Sequence, residues 1–140
     1  MTLISKQVPI IRSDAEALSV ARELAAHFKR DSALRDRERR LPFDELELFS
    51  HTGLWGITVP KEYGGAGVSN VTLAQVVALI AAADASLGQI PQNHFYALEV
   101  LRVNGSETQK ERLYASLLAS SRTCEPSRSN SANCPSRTTS

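Results

Sequence analysis

Between Ser13 and Ala119 the apolar residues recur every three or four positions, and no stretch alternates apolar with polar. A chain with that pattern has helices to pack and no strands to pair. Ser13 followed by Glu16 has the spacing of a capping box and opens a first helix. Ala17, Val20, Ala21, Leu24 and Phe28 then mark one inward face. Pro42 and Gly53 bracket a second helix, with Phe43, Leu46 and Phe49 as its apolar stripe. Asn70 opens a third helix that runs to about Ala83. Its apolar residues lie all round, which predicts burial on nearly every side. Asp84 caps a fourth helix, broken or kinked near Pro91 and stopped by Gly105. Ser106 with Gln109 gives a second capping box, and Leu113, Leu117 and Leu118 mark the inward side of a fifth helix.

The pattern predicts an all-α fold, a bundle of about five helices over residues 13–119, preceded by an N-terminal extension at 1–12. The remaining residues, 120–140, hold seven Ser, three Thr and three Arg with no Leu, Ile, Val or aromatic residue. Such a segment buries too little apolar surface to offset its ordering entropy, so a disordered tail is expected there.

Charge and cysteine usage narrow the function classes. The 140 residues carry a formal net charge of +1, which gives no global field to attract nucleic acid or an anionic membrane. Arg35-Asp36-Arg37-Glu38-Arg39-Arg40 has its acids interleaved and no aromatic residues, so it reads as a solvated, salt-bridged surface rather than a nucleic-acid patch. The longest nearly apolar stretch, Val71 to Ala83, is too short to span a bilayer. Nothing resembles a signal peptide, and a cytoplasmic protein is expected. Cys124 and Cys134 lack a nearby histidine and offer no metal-ligand spacing.

The segment from Gly53 to Gly67 reads as a packed, irregular crossing between helices. Its cluster Gly64-Gly65-Ala66-Gly67 lacks both the Lys-Ser/Thr ending of a P-loop and the G-x-G-x-x-G spacing, so structural glycines are the better account. Trp55 and Tyr63 read as core or pocket-wall aromatics. No G-x-S-x-G elbow is present, and His27 and His51 have no nucleophile partner. His94 shares a helix face with Leu87, Ile90, Leu98 and Leu101, a pattern that suits a satisfied core histidine.

Gly53-Leu54-Trp55-Gly56 and Val59-Pro60-Lys61-Glu62-Tyr63-Gly64-Gly65-Ala66-Gly67 resemble the N-terminal signature of acyl-CoA dehydrogenases. Ala83-Asp84-Ala85-Ser86, His94, Asn104-Gly105 and Gln109-Lys110 follow in that family's order, and the likeness covers about Asp14 to Ala119. Asn93-His94-Phe95 and its helix look most similar to the flavin-dependent monooxygenase branch, which includes dibenzothiophene-monooxygenase-like enzymes and sulfur-acquisition oxidoreductases. The resemblance implies a helical domain that walls part of a substrate pocket. A β-sheet domain and a C-terminal helical bundle follow it, with flavin (FAD or FMN) held between those two, usually in a homotetramer.

It also implies that His94 sits beside the reactive edge of the flavin, where an imidazole titrating near neutral pH can take and return a proton. Ile90, Asn93 and Leu98 become candidate substrate-pocket residues, with Asn93 and Tyr96 as possible donors and Tyr96 left as packing. Residues 120–140 depart from the family pattern, which continues with a glycine and strands. A frameshift or interrupted frame at about Ala119 to Arg122 is the corresponding expectation, with flavin not held firmly by this chain alone. Two alternatives accompany the monooxygenase reading: an FAD-dependent acyl-CoA dehydrogenase, and a non-catalytic helical interaction module.

Overall fold

In a computed structural model that describes residues 9–120, every regular element is helical. The expectations for the tail beyond Ser120 and for residues 1–8 fall outside them. The helices are α1 (Asp14–Lys29), α2 (Ser32–Glu38), α3 (Phe43–Ser50), α4 (Asn70–Ala83), α5 (Ala85–Gln89), α6 (Gln92–Asn104) and α7 (Glu107–Ser120). Two 3-10 turns, Leu54–Gly56 and Lys61–Tyr63, lie in the crossing. The bundle has more helices than the five expected because α2 is a separate short helix and Pro91 divides α5 from α6.

The caps explain most boundaries. Ser13 Oγ accepts the Glu16 amide at 3.2 Å, while the Glu16 carboxylate takes the Arg12 amide at 2.8 Å. Ser106 and Gln109 exchange both bonds of a capping box, at 2.9 and 3.3 Å, satisfying donors that α7 leaves open. Ser69, one residue before the expected cap, accepts the Thr72 amide at the start of α4. Asp14 reaches over from α1: its Oδ2 accepts from the Thr72 hydroxyl at 2.5 Å and the Ser69 hydroxyl at 3.1 Å. The bond from Thr72, first among several hydrogen bonds, holds the Asp14 carboxyl below its usual range.

The core is built chiefly on the pairing of α1 with α4. Ala17, Ala21, Leu24 and Phe28 of α1 meet Val76 and Ile80 of α4, together with Phe49, Leu54 and Ile57. Ile11, in the expected extension, is also buried there. Small residues on α1 allow close approach, and Phe28 fills the volume beyond. Val59, Tyr114 and Leu118 form a second, smaller cluster. In the crossing, Gly53 has a φ of +80°, and a side chain there would collide with the Pro9 carbonyl. Glycine removes both problems.

Several side chains sit where the pattern did not put them. Arg35 is only 4% exposed, although its neighbours Asp36 to Arg40 are exposed as expected. Phe43, assigned to an inward stripe, is 70% exposed because Glu45 takes the inward position of α3. α4 buries Thr72, Val76 and Ile80 only; Val71 is 69% exposed, so burial on nearly every side is not met among the described residues. On α7 Leu118 is buried and Leu117 packs beside it as expected, but the third inward position belongs to Tyr114, whose ring packs on Tyr63 at 5.0 Å. Leu113, one residue away, turns outward accordingly. Among the described residues no helix is long and apolar enough to cross a membrane.

Candidate functional site around His94

His94 is the third residue of α6, half-buried against the crossing. Its Nε2 lies 2.8 Å from the Trp55 carbonyl oxygen, and the two rings meet edge-on at 4.7 Å. A carbonyl only accepts, so Nε2 carries the hydrogen and donates it. In the neutral ring that leaves Nδ1 as an acceptor, and no described residue hydrogen-bonds to it. Burial pushes the imidazole pKa down, and the Trp55 carbonyl opposes this with a smaller effect. The net direction favours a neutral ring with one fixed N–H and one free lone pair.

Trp55 is itself held from α3. Its Nε1 donates to Ser50 Oγ at 3.0 Å, and its ring lies 4.6 Å from that of Phe49. Phe95, beside His94, turns into the core. The imidazole therefore has a rigid aromatic backing, which a loop-borne histidine would lack. α6 starts where it does because Pro91 cannot continue α5, and the Asp84 carboxylate caps α5 through the amides of Ser86 and Leu87.

The other candidate residues do not converge. Leu98 is half-buried and helps to line an open hollow of about 340 Å³ with Thr58, Leu73, Phe95 and Tyr96. Ile90, 43% exposed, borders a different hollow of about 610 Å³ between α2 and the α4–α5 junction. Asn93 is exposed. Tyr96, left as packing, is 69% exposed, and neither hollow includes His94.

Two features escaped the sequence. Arg35 donates through Nη1 to Glu45 at 2.8 Å, and through Nη2 to Asp84 at 2.7 Å and the Phe28 carbonyl at 2.8 Å. The other is Tyr63, whose hydroxyl donates to Glu107 at 2.7 Å; that carboxylate, above all through the hydrogen bond, raises the phenol to about 12. Spacing within one helix reveals neither, because every partner lies outside the residue's own helix, 7, 10 and 49 positions from Arg35 and 44 from Tyr63.

The glycine cluster is closed by its own chain. Gly65 packs so tightly on the Val59 carbonyl that not even a Cβ would fit. Gly64 and Gly67 on either side take the left-handed φ values of +89° and +56°, so the cluster serves as a tight crossing. Among the described residues no group of three His, Cys, Asp or Glu side chains is arranged for a metal ion.

Residues 14–121 match the family described as acyl-CoA dehydrogenase, N-terminal domain. The chain belongs to that family. This N-terminal domain is 36% identical over 105 residues to dibenzothiophene monooxygenase from Rhodococcus erythropolis, covering 75% of the chain and 25% of the relative. It is 33% identical over 109 residues to the probable acyl-CoA dehydrogenase fadE25 from Mycobacterium leprae, covering 78% and 27%. The crystal structure of FMN-bound TdsC from Paenibacillus sp. A11-2 is similar with a TM-score of 0.67 and 37% identity, over 74% of this chain and 26% of that one. TdsC with FMN and indole gives a TM-score of 0.68 at 36% identity, over 75% and 27%. The chain thus spans about a quarter of the length of the curated relatives it matches.

Proposed function

We propose that this domain supplies one wall and one proton-handling side chain, His94, to a flavin-dependent monooxygenase acting on a small planar aromatic or organosulfur compound. The observation that carries the reading is the fixed tautomer of His94. Its N–H is committed to the Trp55 carbonyl, its ring is kept neutral by burial, and its Nδ1 lone pair is left to receive a proton. The likeness to dibenzothiophene monooxygenase and to a structure with FMN and indole supports the substrate class.

When bound, flavin supplies the activation of oxygen. This chain's part is to hold Nδ1 at the edge of the site and to exclude water with Trp55 and Phe95, whose rings lie 4.7 and 5.3 Å from the imidazole. FMN is favoured over FAD by the likeness to TdsC. A cytoplasmic homotetramer completes the reading.

A chimera tests it: residues 14–121 replace the corresponding segment of the R. erythropolis dibenzothiophene monooxygenase, and reduced FMN is supplied. Oxygenated product should form, and His94→Gln should lower kcat roughly 10²- to 10⁴-fold, the usual contribution of general acid–base catalysis. Turnover of acyl-CoA thioesters without oxygenation would instead favour the dehydrogenase reading, which the fadE25 likeness keeps in view.

A further inference from the structure

We propose that Arg35 is a positioning residue for His94, because its guanidinium ties together the two elements, α3 and α5, that lead to the imidazole from either side. The consequence for catalysis rests on the functional reading above; the mechanical coupling does not.

The first arm runs through α3. Arg35 Nη1 donates to Glu45 Oε1 at 2.8 Å. Glu45 shares α3 with Phe49 and Ser50, which hold the Trp55 ring by stacking and by the bond from Nε1 to Oγ. The Trp55 carbonyl then takes the His94 N–H. The second arm runs through α5. Arg35 Nη2 donates to Asp84 Oδ2 at 2.7 Å, while Oδ1 of the same carboxylate caps α5 at the amides of Ser86 and Leu87. α5 is fixed on α4 because Gly88 meets Ala81 with no room for a side chain. It leads through buried Pro91 into α6, three residues before His94.

The contact between His94 and Trp55 therefore closes a ring of structure that begins and ends at Arg35. The arms are stiff for a physical reason. The side chains of Arg35, Glu45 and Asp84 are 5%, 9% and 10% exposed, so these charge-assisted bonds are largely shielded from competing water. Ion pairs this buried add little net stability compared with apolar packing of the same volume. A large desolvated cluster is then better explained by what it orients than by the stability it adds. Arg35 also bonds the Phe28 carbonyl near the end of α1 at 2.8 Å, which anchors the cluster to the main core.

The test uses the whole 140-residue chain with 15N-labelled histidine. In the unaltered protein, imidazole 15N shifts should report the tautomer protonated at Nε2. Glu45→Gln and Asp84→Asn each weaken one arm and preserve shape, and Asn still caps α5. At temperatures where circular dichroism matches the parent, each should accelerate solvent exchange of the His94 N–H about tenfold and mix the tautomers. That factor corresponds to losing the ionic part of one such hydrogen bond. Glu99→Gln, which breaks an exposed ion pair with Arg102 on the same helix α6, should change neither reading.

The unaltered chain provides a second measurement that needs no substitution. The amides of Ser86 and Leu87, capped by Asp84, and the His94 N–H should open with the same urea dependence. Native-like variants with an unchanged His94, or separate opening energies in the parent, would overturn the coupling and leave Arg35 a structural residue. Normal turnover by the His94→Gln chimera would instead remove the catalytic reading while the coupling stood.

Discussion

The two ends of the bundle are finished to different degrees. Around α1 and α4 the side chains close on one another: Phe28, Leu54 and Ile57 are fully buried, and Phe49 and Val76 are 1% exposed. Along α6 only Phe95 is buried, while Tyr96, Val100 and Val103 are 69%, 41% and 61% exposed. α7 contributes Tyr114 and Leu118 to a separate small cluster. Apolar residues at helical spacing thus occur in both regions, but among the described residues only one of them has its apolar faces largely met by others. Stability should accordingly concentrate around α1, and the outer stripe of α6, Tyr96, Val100 and Val103, should contribute little to it.

The sharpest way to break that comparison is Phe28→Ala. The side chain is fully buried, and its removal leaves a cavity that close-packed neighbours fill only partly. A loss of about 3–5 kcal/mol is expected, read as the shift in urea midpoint at constant m-value. A loss below about 1 kcal/mol would mean that the α1 region is looser than its burial indicates.

How far this division could be read from sequence depends on the range of the interaction. The caps at Ser13 and Ser106 were legible because donor and acceptor lie three residues apart. The break at Pro91 and the crossing at Gly53 to Gly67 were legible because proline and glycine act on the backbone locally. Arg35 was not, because an arginine among alternating charges looks solvated until Glu45 and Asp84 arrive from elsewhere in the chain. Phe43 and Leu113 were misassigned for a related reason. A stripe rotated by one residue fits the period almost as well, and only packing chose Glu45 and Tyr114 as the inward positions. At the site, the inward direction of His94 was visible from Leu98 and Leu101, whereas Leu87 and Ile90 of the same expected face lie before the Pro91 break and Ile90 is 43% exposed. The imidazole's acceptor, the Trp55 carbonyl 39 positions away, belongs to the backbone and leaves no mark on side-chain pattern.

His94 sharpens the comparison through pH, with a smaller effect than that of a core phenylalanine because the ring is only half-buried. Burial lowers its pKa in the folded state, so the folded protein binds fewer protons than the unfolded chain near and below pH 6.5, the ordinary histidine value. The contribution is fully present above that pH and is lost as pH falls through the ordinary value toward the lowered one. Urea midpoints should therefore drop more steeply on acidification in the parent than in His94→Gln. Parallel curves would show that the imidazole is as well hydrated in the fold as outside it.

The smallest effect should come from the outer stripe of α6. Val103 is 61% exposed, so Val103→Ser removes little buried area in this chain and exchanges two residues of similar, modest helix propensity. The expected change lies within about 0.5 kcal/mol, as for other surface substitutions. Placed in the chimera with a longer relative, the same substitution becomes informative. A neutral result in both settings would mean that the stripe is ordinary surface. Neutrality in the chain combined with a clear loss in the chimera would mean that α6 is patterned for contacts made only in the complete enzyme, and that the two ends of this domain differ because one of them was built to be covered.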